Sequence, residues 1–456
     1  MREALVFQHV LTPAGLASRQ RVRIDGQGRI AAIEPAGDAA ADGWLAVPGM
    51  PNAHSHCFQR AMVGYGEAAR GEDSFWSWRE TMYALASRIT ADDLYAIACQ
   101  AFGDMLRGGF TCVGEFHYLH HLPDGSRSRA MADAIIAAAR YTGIRLVMLP
   151  VLYMRGGFDR EASPQQRRFV HREVDEFLGL VEHIRTGGTR CGVAPHSLRA
   201  VPPERLAELV SGAKSLLGPN CPLHMHIAEQ TAEVEACSAA HGTTPVRLLA
   251  EHIELDAHWN LVHATHADEE ELDLVRRSGA RIVVCPLTEA YLGDGVFPAT
   301  QFVRDGGRLA IGSDSNIRID ALEELRWLEY AQRLSLRRRA CLADDSGIGI
   351  PLWTRIADAG AAALGEPAGT LEPGRHADIV VFDELEPPLQ GPDSSRALDA
   401  LVTGGSARNI RDVYVGGERR VAERRLVGGD MVGERFAAAV GRLLGNRGQI
   451  PISRGV

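Results

Sequence analysis

The eight cysteines of this chain include no Cys-x-x-Cys pair, and Cys112, Cys191, Cys221 and Cys285 fall inside apolar stretches. That usage excludes a disulfide scaffold and points to buried free thiols in a reducing compartment, so a cytoplasmic protein is expected. No run approaches the roughly 20 apolar residues of a membrane span. The start, Met1-Arg2-Glu3-Ala4-Leu5, also lacks the long uncharged segment that opens a secretory signal. Positive charge is in deficit. The formal net charge is -9 and the pI is near 6.0, which leaves no broad basic face to neutralise phosphates. Nucleic acid and membrane surface are thereby excluded as partners, and a small molecule is expected instead. No Gly-x-Gly-x-x-Gly follows the first strand, so a nucleotide-binding doubly wound sheet has nothing to rest on.

What is present is ample core material. With 456 residues and 45% hydrophobic content, one large domain and a smaller one are the natural division. Short strands are predicted over 4–10 and 20–33, the latter turning at Asp25-Gly26-Gln27-Gly28. Strand-and-turn character returns at 377–382 and 413–417, so the two ends are expected to build one β module together. Between them, β runs recur before His54 and at 111–116, 145–151, 191–195, 223–227, 261–264, 282–286 and 309–311. Helical segments separate them. The segment 91–107 carries Thr90 as N-cap, Asp93 three residues on and Gly108-Gly109 as a stop. Eight β/α repeats in one domain predict a (β/α)8 TIM barrel. The expected division is 1–45 and 366–430 for the terminal module, 46–365 for the barrel and 431–456 for a helical tail. The tail offers a face to a second copy, and a homodimer is the expected assembly.

Barrel enzymes place their chemistry at the C-terminal ends of the strands. His54-Ser55-His56 closes the first strand, and two histidines at i and i+2 on an extended segment share a face. The fifth strand carries His224, His226 and then Glu229, the sixth His263, and the eighth runs into Asp314. Three histidines and an aspartate at one mouth suit a single divalent metal ion, most simply zinc, with a position left for water. The spacing leaves either His224 or His226 as the third imidazole.

The series His54-x-His56, His226-x-x-Glu229, His263 and Asp314, closed by the block Gly369 to Asp383, resembles the amidohydrolase superfamily, in particular its mononuclear deaminase branch. The resemblance covers nearly the whole chain. It implies a distorted (β/α)8 barrel with a small β-sandwich built from both termini. The family's His-x-x-Glu selects His226 over His224. A dinuclear member would carry a metal-bridging lysine on strand four, and Cys191 to His196 has none. The resemblance narrows to the N-formimino-L-glutamate deiminase family through five blocks. These are His54 to Met62, Asp73 to Glu80, Phe116 to His121, Pro195 to Arg199 and Cys285 to Gly295. One departure is Tyr291, where the family pattern commonly has Asn.

The implied reaction is metal-dependent hydrolytic deamination of N-formimino-L-glutamate to N-formyl-L-glutamate and ammonia, a step of histidine degradation. His54, His56, His226 and Asp314 would hold zinc and activate water. Asp314 would also accept a proton, Glu229 would shuttle protons to the departing nitrogen, and His263 would orient the attacking water. A substrate with two carboxylates calls for guanidinium groups, for which Arg199 and Arg79 are the candidates. Gln59, Tyr118 and His196 match substrate-site positions of the family. Trp76 and Trp78 mark either a lid or loop packing. The remaining histidines, His120, His121, His171, His241 and His252, are read as structural. Two other functions compete. A deaminase of the same branch acting on guanine, a triazine or an adenosine derivative would prefer neutral aromatic pocket residues to paired arginines. A non-catalytic scaffold would have lost ligands, and none is lost. The small zinc nucleobase deaminases are excluded because their Pro-Cys-x-x-Cys is absent.

Overall fold

The computed structural model of the chain describes residues 3–67, 75–391 and 393–445. Its first four strands are β1 (Ala4–Thr12), β2 (Gly15–Ile24), β3 (Ile30–Pro35) and β4 (Gly43–Pro48). Nine short strands follow: β5 (Met50–Ser55), β6 (Phe110–His117), β7 (Arg145–Leu152), β8 (Arg190–Cys191), β9 (Ala194–Pro195), β10 (Leu223–Ile227), β11 (Trp259–His263), β12 (Arg281–Val284) and β13 (Arg308–Ile311). The chain ends with β14 (Ile379–Phe382), β15 (Ile410–Val415), β16 (Glu418–Ala422) and β17 (Arg425–Leu426).

Strands from both ends form one eight-stranded sheet in the order β17-β16-β15-β14-β4-β1-β2-β3. The seam is β4, parallel to β1 and antiparallel to β14. Alternation of side chains sends successive residues of the seam to different cores. Ala46, Ile379 and Val381 join Leu5, Phe7 and Val22 in a core of their own, while Leu45, Val47, Val380 and Phe382 face the barrel's core. The apolar run Trp44 to Met50, expected to lead straight into the histidine pair, divides between the two bodies at Gly49. The backbone there crosses so close to β6 that a Cβ on Gly49 would lie 2.2 Å from Thr111 Oγ1.

Strands β5 to β8 and β10 to β13 form two parallel arcs, with β9 pairing β7. Single bridges, Val193 to Leu223 and Ser55 to Asp314, join the arcs into a closed barrel whose fourth strand is the broken pair β8 and β9. The eight strand positions read from the sequence are those that close it. The helix Ala91–Arg107 has the capping box foreseen for it, Thr90 and Asp93 each satisfying the other's backbone N–H. It buries Leu94, Ile97, Phe102 and Met105. Against it lies the tail helix Val432–Leu444, fixed by Arg442 to Asp93 at 2.6 Å and by the buried Val432, Ala439 and Leu443. The tail's apolar side is thus used within the chain, and its last residues, 446–456, lie outside the described ones. Among the described residues no helix is long and apolar enough to cross a membrane, and all eight cysteines are unpaired.

Candidate metal and catalytic site

The end of β5 and the start of the loop after it bring His54 and His56 to the barrel mouth. Their Nε2 atoms are 3.2 Å apart, and His226 Nε2 on β10 lies 3.0 Å from that of His54. Asp314 Oδ1 approaches His54 Nε2 to 3.5 Å and His56 Nε2 to 3.3 Å. All four residues are buried. The imidazole protons are assigned by the backbone: His56 donates from Nδ1 to the Phe116 carbonyl at 2.9 Å, and His226 from Nδ1 to the His196 carbonyl at 3.1 Å. With those protons spent, the Nε2 lone pairs of both rings point at one another's side of a common centre beside a carboxylate. Burial holds the His54 imidazole down at about 3, outweighing the Asp314 carboxylate. Burial pushes the Asp314 carboxyl up, but the hydrogen bond and charge of His54, followed by His56 and His263, leave it below the ordinary carboxylate range. Three neutral imidazoles and an ionised carboxylate, within 4.8 Å of one another, are a donor set that fits a divalent cation. The other candidate imidazole, His224, points away and bonds the Ala363 carbonyl at 2.9 Å.

The loop after β13 reaches this centre by close backbone approach. A Cβ on Gly312 would lie 2.7 Å from the Cβ of His54. Asp314 N donates to the His54 carbonyl at 3.0 Å, and His56 N donates to the Asp314 carbonyl at 2.9 Å. Ala228, His263 and Asp314 all have positive φ, 48°, 70° and 46°. Non-glycine residues held this way cost about 1–3 kcal/mol each and persist where the surroundings determine them. Here the strain turns β10, β11 and β13 at the residues that carry the site.

Glu229, His263 and Arg199 stand around the four. Glu229 Oε1 is 3.8 Å from His263 Nε2, and Asp314 Oδ2 is 3.7 Å from that nitrogen. Burial pushes the Glu229 carboxyl up to about 7 against the pull of His263 and Arg199. Burial would lower His263, yet the charge of Glu229, the hydrogen bond to Glu289 and the charge of Asp314 raise it to about 10. Arg199 lies 3.7 Å from both Glu229 and Glu233. Glu289, which sequence reading did not single out, takes His263 Nδ1 at 3.3 Å and the backbone N–H of Cys285 at 2.9 Å. Its signal was its place in the block Cys285 to Gly295.

The pocket beside this centre is lined by Gln59, Trp78, Arg79, Tyr118, His196 and Arg199, together with Met82, Tyr83, Tyr153 and Phe169. The first six include every substrate residue expected from the sequence; the last four were missed, because a methionine or an aromatic residue in a loop or on a helix reads as packing. Gln59 Nε2 donates to Tyr118 Oη at 2.9 Å, leaving its Oε1 without a protein partner. Burial and then the charge of Arg199 keep His196 neutral. The Arg79 guanidinium sits over the Tyr83 ring, 5.5 Å from its centroid. Trp78 is buried against the pocket. Asp73, Ser74 and the Trp76 side chain lie outside the described residues. His120, His121 and His171 form a buried cluster of their own, with His120 and His121 bonded to the Val151 and Val170 carbonyls. The chain's one lysine, Lys214, pairs with Asp256 on the far side of the fold from the mouth.

The model of the amidohydrolase family matches residues 45–420. A formimidoylglutamate deiminase of Pseudomonas aeruginosa is 43% identical over 97% of this chain and 99% of its own length. A 5-methylthioadenosine/S-adenosylhomocysteine deaminase of Natronomonas pharaonis is 29% identical over 91% of this chain and 92% of its own. Among solved structures, an amidohydrolase from Brucella melitensis superposes with a TM-score of 0.90 at 40% identity, covering 97% of this chain and all of that one.

Proposed function

Since this chain belongs to the amidohydrolase family, we propose that it hydrolyses the amidine of N-formimino-L-glutamate to N-formyl-L-glutamate and ammonia. The observation that carries the choice of substrate is the pocket itself. A neutral ring deaminase has no use for two guanidinium groups, whereas Arg79 and Arg199 line the same pocket as the proton-transfer groups.

His54, His56, His226 and Asp314 would hold one divalent ion, and zinc is the ion best suited to three imidazoles and a carboxylate. When bound, such an ion supplies Lewis-acid activation of water, bringing its pKa to about 7. The chain's own groups do the rest. Glu229, titrating near neutrality, takes a proton from the attacking water and gives it to the imino nitrogen; a second transfer completes the ammonia that departs. Asp314, ionised, is placed to hold the water's other proton. His263, kept cationic by Glu229 and oriented by Glu289, donates a hydrogen bond to the oxygen on the tetrahedral carbon. Gln59 Oε1 accepts from the substrate N–H, with Tyr118 fixing its amide. Arg199 grips the α-carboxylate and Arg79 the other. The unpaired thiols of all eight cysteines fit a cytoplasmic enzyme.

The test is product analysis. Protein of known metal content, given N-formimino-L-glutamate, should release one ammonia per N-formyl-L-glutamate formed and lose activity on chelation. Absence of turnover in fully metallated protein would remove the substrate assignment.

A further inference from the structure

The loop between β7 and the helix Val174–Thr186 contains one buried amide, Gln166, which touches no part of the metal group. Its two ends are chemically fixed. Oε1 accepts the backbone N–H of Ser163 at 2.8 Å, so this atom is the carbonyl oxygen and the other is the NH2. The NH2 donates to Tyr83 Oη at 3.1 Å and to Tyr153 Oη at 2.5 Å. The loop is folded tightly on it: a Cβ on Gly156 would lie 2.9 Å from Gln166 Oε1. Both phenols line the substrate pocket beside Arg79 and Arg199.

An amide NH2 has donors only, so each phenol oxygen must accept from Gln166. Neither phenol can return its own proton to that NH2, and the amide oxygen is already taken by the Ser163 N–H. The phenolic protons therefore have no acceptor on Gln166 and are free to point to the pocket. Resting on the reading of the substrate given above, we infer that Gln166 is a positioning residue that sets the polarity of the Tyr83–Tyr153 pair, presenting a hydroxyl donor to a carboxylate of the substrate between the two guanidinium groups. Specificity for a dicarboxylate would then come from two cations and a neutral O–H donor oriented from behind.

Gln166→Glu tests this, because the side chain keeps its shape but can only accept, drawing the phenolic protons away from the pocket. Thermal midpoint and metal content are measured first, and should match wild type. The expected result is a rise of about tenfold or more in KM for N-formimino-L-glutamate and in Ki for N-formyl-L-glutamate, with kcat changed by less than about threefold. The added charge alone would raise KM equally in any background, so the substitution is repeated in a Tyr83→Phe/Tyr153→Phe chain, where the rise should shrink at least threefold. An equal rise in both backgrounds, or no rise in either, overturns the inference. Should Gln166→Glu fail to fold, the Tyr83→Phe/Tyr153→Phe chain decides: unchanged KM and Ki overturn it. Failure of wild-type protein to turn over N-formimino-L-glutamate would instead remove the underlying reading.

Discussion

Glu229 is the residue on which the chemistry turns, and its surroundings make two predictions. Glu229→Gln retains the hydrogen-bonding outline but cannot carry a proton. Its kcat is expected to fall roughly 100-fold to 10,000-fold, with metal content per chain unchanged, since Glu229 is not among the converging donors. Arg199 holds the Glu229 carboxyl down. Removing that charge in Arg199→Ala must raise the Glu229 pKa further above its folded value of about 7. Because activity requires the ionised carboxylate, the acid limb of the kcat/KM profile should move to higher pH, and kcat/KM at neutral pH should fall by about tenfold or more. A variant with wild-type kcat/KM and an unmoved limb would take Arg199 out of both roles. At this scale much of the site was legible. His54, His56 and Asp314 stand at strand ends, whereas spacing alone left His224 and His226 equal and only the His-x-x-Glu of the resembled family separated them. Glu289 was hidden because a buried glutamate on a helix carries no periodic signal. The positive φ of Ala228, His263 and Asp314 was hidden because none of them is glycine.

At the scale of elements, the loops after β6 and β7 share a cluster in which His120 and His171 have ring centroids 4.6 Å apart. Burial, followed by the charge of neighbouring histidines, pushes both imidazoles down, His171 to about 3. The unfolded value is near 6.5. Folded and unfolded chains therefore bind the same number of protons here above about pH 7. Below about 6.5 only the unfolded chain gains them, and stability is lost as pH falls, by about 1.4 kcal/mol per pH unit for each such histidine. Urea unfolding at pH 7 and pH 5 should accordingly show a smaller difference for His171→Gln than for wild type; an identical difference would contradict the assignment. Elements with periodic or capping signals were readable in advance, as the helix opened by Thr90 and Asp93 was. The segment 153–173 was not, because its order comes from single polar anchors. Arg168, fully buried, donates to the carbonyls of His121, Ala86 and Ile89, and Gln166 ties Tyr153 at the start of the segment to Tyr83 on the helix Phe75–Ala86. No local pattern announces such contacts.

For the whole molecule, the terminal sheet and the barrel are joined by buried polar contacts as well as by the shared seam β4. Asp378 receives two bonds from Arg145 on β7, at 2.9 and 3.1 Å, and one from Gly416 N at 2.7 Å. Asp378→Ala leaves a largely buried guanidinium without its partner and should cost about 3–5 kcal/mol of stability. KM should not change, because the pair lies at the N-terminal end of β7, away from the mouth; denaturant unfolding beside steady-state kinetics checks both halves. Architecture was readable from the order of apolar runs, whereas the division of Trp44–Met50 between two bodies was not, since both sheets accept the same apolar strand. The measurement that bears most directly on the account is ammonia release at equal metal content from N-formimino-L-glutamate, N-formimino-L-aspartate and 5′-methylthioadenosine. A pocket with paired arginines at a set depth predicts that the glutamate compound exceeds both others in kcat/KM by at least about 100-fold. Preference for the nucleoside would contradict it, leaving the metal group intact and the reading of Arg79 and Arg199 wrong.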